Sequence, residues 1–522
     1  MMKQILALSL LISACAAPVA GRFKDQPIVW RVDDSRDIPE PDESIFDAYT
    51  YYLDAYVFDR LTDLVDPPEI GPAQDTNALD ELPDSSWFQN RIGQREMSPK
   101  EAATGANDQG PPQLPITIFA AKTGGANPGF FAKDIRGVRY LIKFDNAENP
   151  EQQTAGDVIV SRIFWTLGYF VPSDNVFHFQ RNQVIIGEKV KKQLSEKDID
   201  EMLVGAARNK EGAIRSLASQ FVPGIPKGGW SGMGTREDDP NDQIDHEQRR
   251  ALRALLVFSA WLGHTDLKED NSIDVYVDED GTKFLKHFLV DFGEALGGHQ
   301  SEKAQLSIGW EHGFDWQAQG MALVSFGLHV RQWEDQKETP WKSIGHFGSK
   351  YFNAPDWRER YYYPPYHFMD DADGFWAAKL VMKFTRPMLE AIVAEGHFTE
   401  PAAAAYLVDT LLARAWNVGN RYLDRVTPLD EFTFEDGKLC ATDLSRKYGI
   451  ATYGRVELLD HKGKELSHID MDADGRVCLP IASDEEYRIL RARIRRADGR
   501  TPPMEIHYKG GDNARILGIV RN

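Results

Sequence analysis

Between Trp261 and Gly298 the chain reads WLGHTDLKEDNSIDVYVDEDGTKFLKHFLVDFGEALGG, and this stretch restricts the fold more than any other. Ile273, Val275 and Val277 alternate with polar residues, Asp280-Gly281 supplies a tight turn, and Phe284 to Val290 makes the return strand. A hairpin of this kind brings its two ends back to one place. Asp266 and Asn271, ahead of the first strand, and Asp291, after the second, are therefore expected on loops at the same end. Upstream, Leu252, Leu255, Leu256, Ser259 and Leu262 have the spacing of a core-facing helix side that holds the first loop rigid.

Such a cluster suits phosphoryl transfer, which needs carboxylates or an amide to hold a divalent ion, a cation to orient phosphates and a base facing the acceptor. Lys143 ends the strand-like YLIK and is the candidate cation. At this point HTDLKEDN resembles the catalytic loop of the protein-kinase-like superfamily. The resemblance places Asp266 at the catalytic Asp, Lys268 at the loop Lys and Asn271 at the metal-binding Asn. VDFGEALG resembles that family's Asp-Phe-Gly motif and puts Asp291 on the metal. YLIKF resembles its phosphate-binding Lys strand. KTGGANPGFFAKD resembles a modified glycine-rich loop, in which Gly124, Gly125 and Gly129 allow close backbone approach without reproducing G-x-G-x-x-G. Asp157 has a placement similar to the helix acid of HipA-like bacterial kinases, with Glu148 and Glu151 as competing partners for Lys143. After Gly298 there is no Ala-Pro-Glu ending, and GWEHGFDW and GLHVRQWED resemble atypical or small-molecule kinases more than regulated ones.

The resemblance implies an α+β, bilobal protein-kinase-like fold, with an N-lobe over 113–190 and a C-lobe with insertions over 191–428. It also implies Mg²⁺ or Mn²⁺, with ATP or another nucleotide as donor and a hydroxyl acceptor in an envelope protein, a glycan or a small molecule. The alternative is a pseudokinase-like envelope lipoprotein that binds a protein or glycan partner. At each residue there is also a purely structural alternative, in which Asp266, Asn271 and Asp291 cap turns or segments and Lys143 snorkels from an edge strand.

The remaining chain supplies context. MMKQILALSLLISACAAP combines one Lys with a short apolar run and a lipobox-like ISAC, so residues 1–14 read as a lipoprotein signal and Cys15 as the lipidated residue. Ala16 then favours an outer-membrane position in a bacterial envelope, anchored by lipid. Cys440 and Cys478 remain as an even pair, expected as a disulfide, with two buried thiols as the alternative. A net charge of −20 excludes a general nucleic-acid-binding surface.

Residues 15–112 read as an extension packed on the core through Trp87 and Phe88. A helix is expected to end near Gly168, VFHFQRNQVIIGEKV reads as a strand pair, and helical segments are expected around 199–221, 245–262, 373–395 and 401–418. VPGIPKGGWSGMGTREDDPND reads as an exposed loop able to act as a lid. Residues 429–522 alternate between turns and are expected to form a β-rich domain, a β-sandwich, with DMDADG as a polar turn.

Overall fold

A strand alternation that survives to residue 521 and helices that are apolar on most faces combine into a mixed α+β fold. The computed structural model describes residues 21–521 apart from 66, 108, 123–127, 299–306, 314, 327 and 336–338. The expectations for residues 1–14, Cys15, Gly124 and Gly125 lie outside the described residues. Among those described, no helix is long and apolar enough to cross a membrane.

Strands β1 (Ile116–Ala121), β2 (Gly129–Lys133), β3 (Arg139–Phe144), β4 (Asp174–Phe179), β5 (Val184–Ile186) and β6 (Ile214–Gln220) form one sheet in the order β4-β6-β3-β2-β1-β5. The helix Gln152–Leu167 follows β3 and ends at Gly168, whose φ of 142° suits a glycine. It is buried on nearly every side, which is why its sequence shows little polar face.

Two expectations are corrected here. The segment 214–220, read as helix, is β6, held between β3 and β4. Burial of Ile214 through Ala218 on both faces removes the two-residue alternation that would have marked a strand. The sheet therefore takes in residues up to 220. VFHFQRNQVIIGEKV does hold two strands, but β4 and β5 lie at opposite edges of the sheet and do not pair.

A second sheet joins β7 (Ile225–Pro226), β8 (Ser272–Glu279) and β9 (Thr282–Leu289), with the β8–β9 hairpin in unbroken register from Ser272↔Leu289 to Glu279↔Thr282. The excursion after residue 221, expected as an exposed loop able to act as a lid, is exposed over much of its length but is pinned to the body at several points. Ile225 pairs with Tyr276, Trp230, Asp239, Asn241 and Asp242 are buried, and the backbone at Gly228 and Gly229 packs directly on Ser44 and Glu269. Its glycines serve close packing: an added Cβ at either would stand 2.1 Å from a carbonyl oxygen. The extension before residue 113 also packs on this hairpin. Trp87 stacks on His287 at 3.6 Å, and Phe88 is fully buried against Tyr169 and Trp376.

Helices Leu255–Leu262, Asp371–Val381, Arg386–Ala394 and Pro401–Tyr422 share the largest apolar core with Gln152–Leu167. The single helix expected over 373–395 is two, separated before Arg386-Pro387, where proline suits the start of a new helix. Arg250 and Arg253 are both buried and share the carboxylate of Asp373 at 2.8 and 3.3 Å, while Arg250 also reaches Asp80 of the extension at 2.7 Å. These pairs fix how the extension sits on the helices.

Beyond residue 428, β10 (Leu429–Glu435), β11 (Lys438–Asp443), β12 (Arg455–Leu459), β13 (Glu465–Asp470), β14 (Arg476–Pro480), β15 (Tyr487–Arg495), β16 (Met504–Lys509) and β17 (Arg515–Arg521) form two sheets. Their orders are β10-β11-β14 and β13-β12-β15-β16-β17, and side chains from both make one core. Cys440 and Cys478 stand opposite each other in the β11–β14 register and are joined as a disulfide. Asp472 caps its own turn through the N–H groups of Asp474 and Arg476, so DMDADG is a polar turn.

The disulfide spans 38 residues of sequence. Closing a loop of that size restricts the unfolded chain, so replacing both cysteines by serine is expected to lower stability by about 2–4 kcal/mol. Denaturant unfolding of the variant and of the reduced wild type checks this, and both should shift together.

Candidate active site

The hairpin register determines what lies next to what. Because Ser272 pairs with Leu289, the next residues outward meet, and Val290 donates its N–H to the Asn271 carbonyl at 3.1 Å. Asp291 therefore follows directly beside Asn271. Asp291 has a φ of 62°, a left-handed conformation that costs most residues roughly 1–2 kcal/mol and that Asp tolerates better than most.

Four further groups converge on this corner. Lys143, buried on β3, donates from Nζ to Asp291 Oδ1 at 2.7 Å. Desolvation alone would lower its pKa, but the charges of Asp291 and Asp157 outweigh it and hold the ammonium above the ordinary lysine value. Asp157 accepts the N–H of Phe292 at 2.6 Å, and burial pushes its carboxyl well above the usual range despite Lys143. The ion pair of Lys143 is with Asp291, while Asp157, expected as its partner, acts on it by charge and bonds the Phe292 backbone, which the close approach of the helix allows. At Gly156 a Cβ would already touch the carbonyls of Ala295, Gly293 and Phe292 at 3.4–3.8 Å. Glu151, the competing partner, is taken by the N–H and hydroxyl of Thr399, and Glu148 is exposed.

Asp291 itself is crowded, yet 45% of its side chain stays open to solvent. Desolvation raises its pKa, and the charge and hydrogen bond of Lys143, with Lys268 and Lys122 behind, more than reverse this.

On the neighbouring loop, Lys268 Nζ donates to Asp266 Oδ2 at 2.7 Å. Asn271 Nδ2 donates to the Asp266 carbonyl at 2.5 Å and to Oδ2 at 2.9 Å. Both acceptors are oxygens, so the amide orientation is settled, and Oδ1 is the atom left to face a cation. Phe292 stacks on Phe164 at 5.3 Å and lies 5.8 Å from His264. Burial lowers His264 to about 4, and neither ring nitrogen has a partner, so it packs as a neutral ring against Phe292 and Phe164.

Gly129 is opposite Lys143 in the β2–β3 register, where a Cβ would stand 2.3 Å from the Ile142 carbonyl. Its observed role is strand packing beside the lysine. The structure thus brings Lys143, Asp157, Gly129, Asn271 and Asp291 together, with Asp266 and Lys268 on the same loop as Asn271.

Sequence reasoning missed several members of the cluster. Asp174, at the start of β4, is pushed up to about 6 by burial against the opposing effect of a hydrogen bond from Ser219 and the charge of Lys143. Lys122, just past β1, is lowered by desolvation and then by Lys143. Neither has a local signal, because each reaches the site through sheet order. Glu294 could have been found as the residue after Asp-Phe-Gly. Its carboxylate pairs with Arg360 at 3.1 Å, and desolvation, followed by the charge of Asp266, pushes it to about 7. Thr265 and Glu294 also line a cavity of about 370 Å³ bounded on its far side by residues 346–357.

Elsewhere, the chain holds a cluster of metal-ligand residue types. Donor atoms of Glu435, Cys440 and Cys478 lie within 4.8 Å of one another, so an ion is possible there on distance alone. The two sulfurs are bonded to each other and offer no thiolate, and Glu435 pairs with Arg476. Oxygen donors of the kind Mg²⁺ and Mn²⁺ prefer are found instead at Asn271 and Asp291. No protein-family model matches the chain, and no curated protein and no solved structure matches it either.

Glu294 yields a pH signature. A carboxyl raised from 4.5 to about 7 contributes stability that is complete below the unfolded value and is lost as pH rises through the folded one. Replacing it by Gln removes that loss. The stability of Glu294→Gln relative to wild type is therefore expected to grow between pH 4.5 and 8, by at most about 3 kcal/mol. Urea unfolding of both proteins at pH 5 and pH 8 checks the sign, whatever constant offset the lost Arg360 pairing adds.

Proposed function

We propose that the chain is a metal-dependent phosphotransferase with a two-lobed, protein-kinase-like arrangement, exported and lipid-anchored at the cell envelope. It would move a phosphoryl group from a nucleoside triphosphate to a hydroxyl acceptor. The observation that carries this reading is the single corner where the Lys143–Asp291 pair, the Asp157 brace and the Asp266–Asn271 bonds meet.

The donor set suits a hard divalent ion: an accessible carboxylate at Asp291 and the free amide oxygen of Asn271. Bound there, Mg²⁺ or Mn²⁺ supplies charge neutralisation on the phosphates. Lys143 orients the phosphates, and Asp157 keeps the Phe292 backbone in place so that Asp291 cannot drift. Asp266 accepts the proton of the acceptor hydroxyl. The hydroxyl oxygen forms the new bond to the γ-phosphorus, the bond from that phosphorus to the bridging oxygen breaks, and the nucleoside diphosphate leaves with the electron pair. Lys268, already on Asp266, offsets charge as the phosphoryl group moves. Alignment and fixed charges account for most of such chemistry, which fits a site whose polar atoms are braced before any substrate arrives.

Titration calorimetry with Mn²⁺ and a non-hydrolysable ATP analogue tests the reading. Wild type is expected to bind, Asp291→Asn to lose metal-dependent binding, and Asp266→Asn to bind while basal nucleotide hydrolysis falls roughly 10²–10⁴-fold. A folded wild-type protein that binds no nucleotide with either Mg²⁺ or Mn²⁺ favours the binding-protein alternative and ends this one.

A further inference from the structure

The cavity of about 370 Å³ beside Asp266 lies near the lower end of the roughly 300–1000 Å³ typical of small-molecule sites. Two of its lining residues hold buried polar atoms without partners. Thr265 is 2% exposed and its Oγ1 bonds to nothing, and Trp357 is 6% exposed with an unpaired Nε1–H. Unsatisfied buried groups are costly, and both belong to residues that line the cavity, so a small side-chain shift would offer them to a ligand's oxygens. Gly309 keeps the space beside the indole open, since a Cβ there would stand 3.2 Å from Trp357 Nε1.

The cavity's charged residues are of both signs, Lys350 and Arg414 against Asp356 and Glu294, and this mixture suits a neutral ligand. Arg414 lines it, but its guanidinium is spent on the carbonyls of Trp261, Ala260 and Gly348 and stacks on Phe352 at 3.7 Å, so it is no anion clamp. Glu294, paired with Arg360, lines the same cavity and offers a carboxyl oxygen to hydroxyl groups. Trp310 and Tyr351, the latter 44% exposed, add aromatic surface. Aromatic faces with a few directed donors and acceptors are the chemistry that recognises a ring carrying several hydroxyls.

We infer that this cavity is the acceptor subsite and that it takes a neutral sugar ring, free or as a residue of a glycan. The acceptor role rests on the phosphotransferase reading; the sugar binding does not. A sugar hydroxyl oxygen seated next to Asp266 receives the phosphoryl group from the nucleoside triphosphate, its proton passes to Asp266, and the nucleoside diphosphate departs.

The experiment screens methyl glycosides of common hexoses and N-acetylhexosamines, with adenosine as a control, by saturation-transfer NMR and then calorimetry on the full chain. At least one glycoside is expected to bind. Trp357→Phe and Thr265→Val should each weaken it roughly five- to tenfold, and Tyr351→Ala, an exposed change that leaves the core intact, should weaken it too. Affinity for the ATP analogue with Mn²⁺ and the melting temperature of Tyr351→Ala should stay at wild-type values. Nucleotide binding without any glycoside binding overturns the inference, as does glycoside binding that ignores all three substitutions. Adenosine binding in place of every glycoside overturns the sugar assignment. Glycoside binding that obeys the substitutions in a protein that binds no nucleotide upholds the sugar site and overturns its acceptor role.

Discussion

The pairing of β8 with β9 is the constraint on which the site depends. An antiparallel register has a period of two, so a slip of one residue would turn Val275, Val277, Phe284 and Phe288 out of their core and would separate Asn271 from Asp291. The hairpin is protected against such a slip from several directions. Trp87 stacks on His287, whose Nδ1 is 2.6 Å from Asp274 Oδ1 across the pair, β7 adds a third strand, and Leu289 donates to the Phe170 carbonyl at 3.0 Å. The extension before residue 113 is thus part of what positions the acidic corner.

A second constraint is electrostatic. Asp157, Asp174 and Asp291 surround Lys143, and three carboxylates around one ammonium cannot all stay charged in a poorly hydrated place. The surplus is resolved by depth. Asp291, the most open, remains an anion, while Asp157 and Asp174 are pushed upward. Charge is left concentrated on the carboxylate most open to solvent, and Lys122 adds a further positive neighbour. On the proposed reading, a polyphosphate with its ion would redistribute this balance, taking Lys143 toward the phosphates and Asp291 toward the metal.

Much of the donor corner was legible because its signals are local. Alternation, an Asp-Gly turn and the Asp266-to-Asn271 spacing are properties of a short window, and so are the helix stop at Gly168 and an even pair of cysteines. The illegible parts depend on the whole fold. The β6 segment hides its strand character by being buried on both faces, β4 and β5 look like partners but take opposite edges, and the glycines after residue 221 answer to Ser44 and Glu269. Lys122, Asp174 and the residues of the cavity wall are distant in sequence and acquire meaning only through sheet order and helix packing.

Asp266 links the two halves of the site. On one side its carboxylate is held by Lys268 and Asn271, which fixes it relative to Asp291. On the other, its neighbour Thr265 opens on the cavity, and the Thr265 carbonyl accepts the Arg360 N–H at 3.3 Å, the same residue whose guanidinium pairs with Glu294. Displacing the 346–360 segment would therefore pull on the loop that carries Asp266 as well as on the cavity wall. On the proposed reading, acceptor and donor sides would be coupled through one short loop, so a ring that fills the cavity would also steady the group proposed to take its proton.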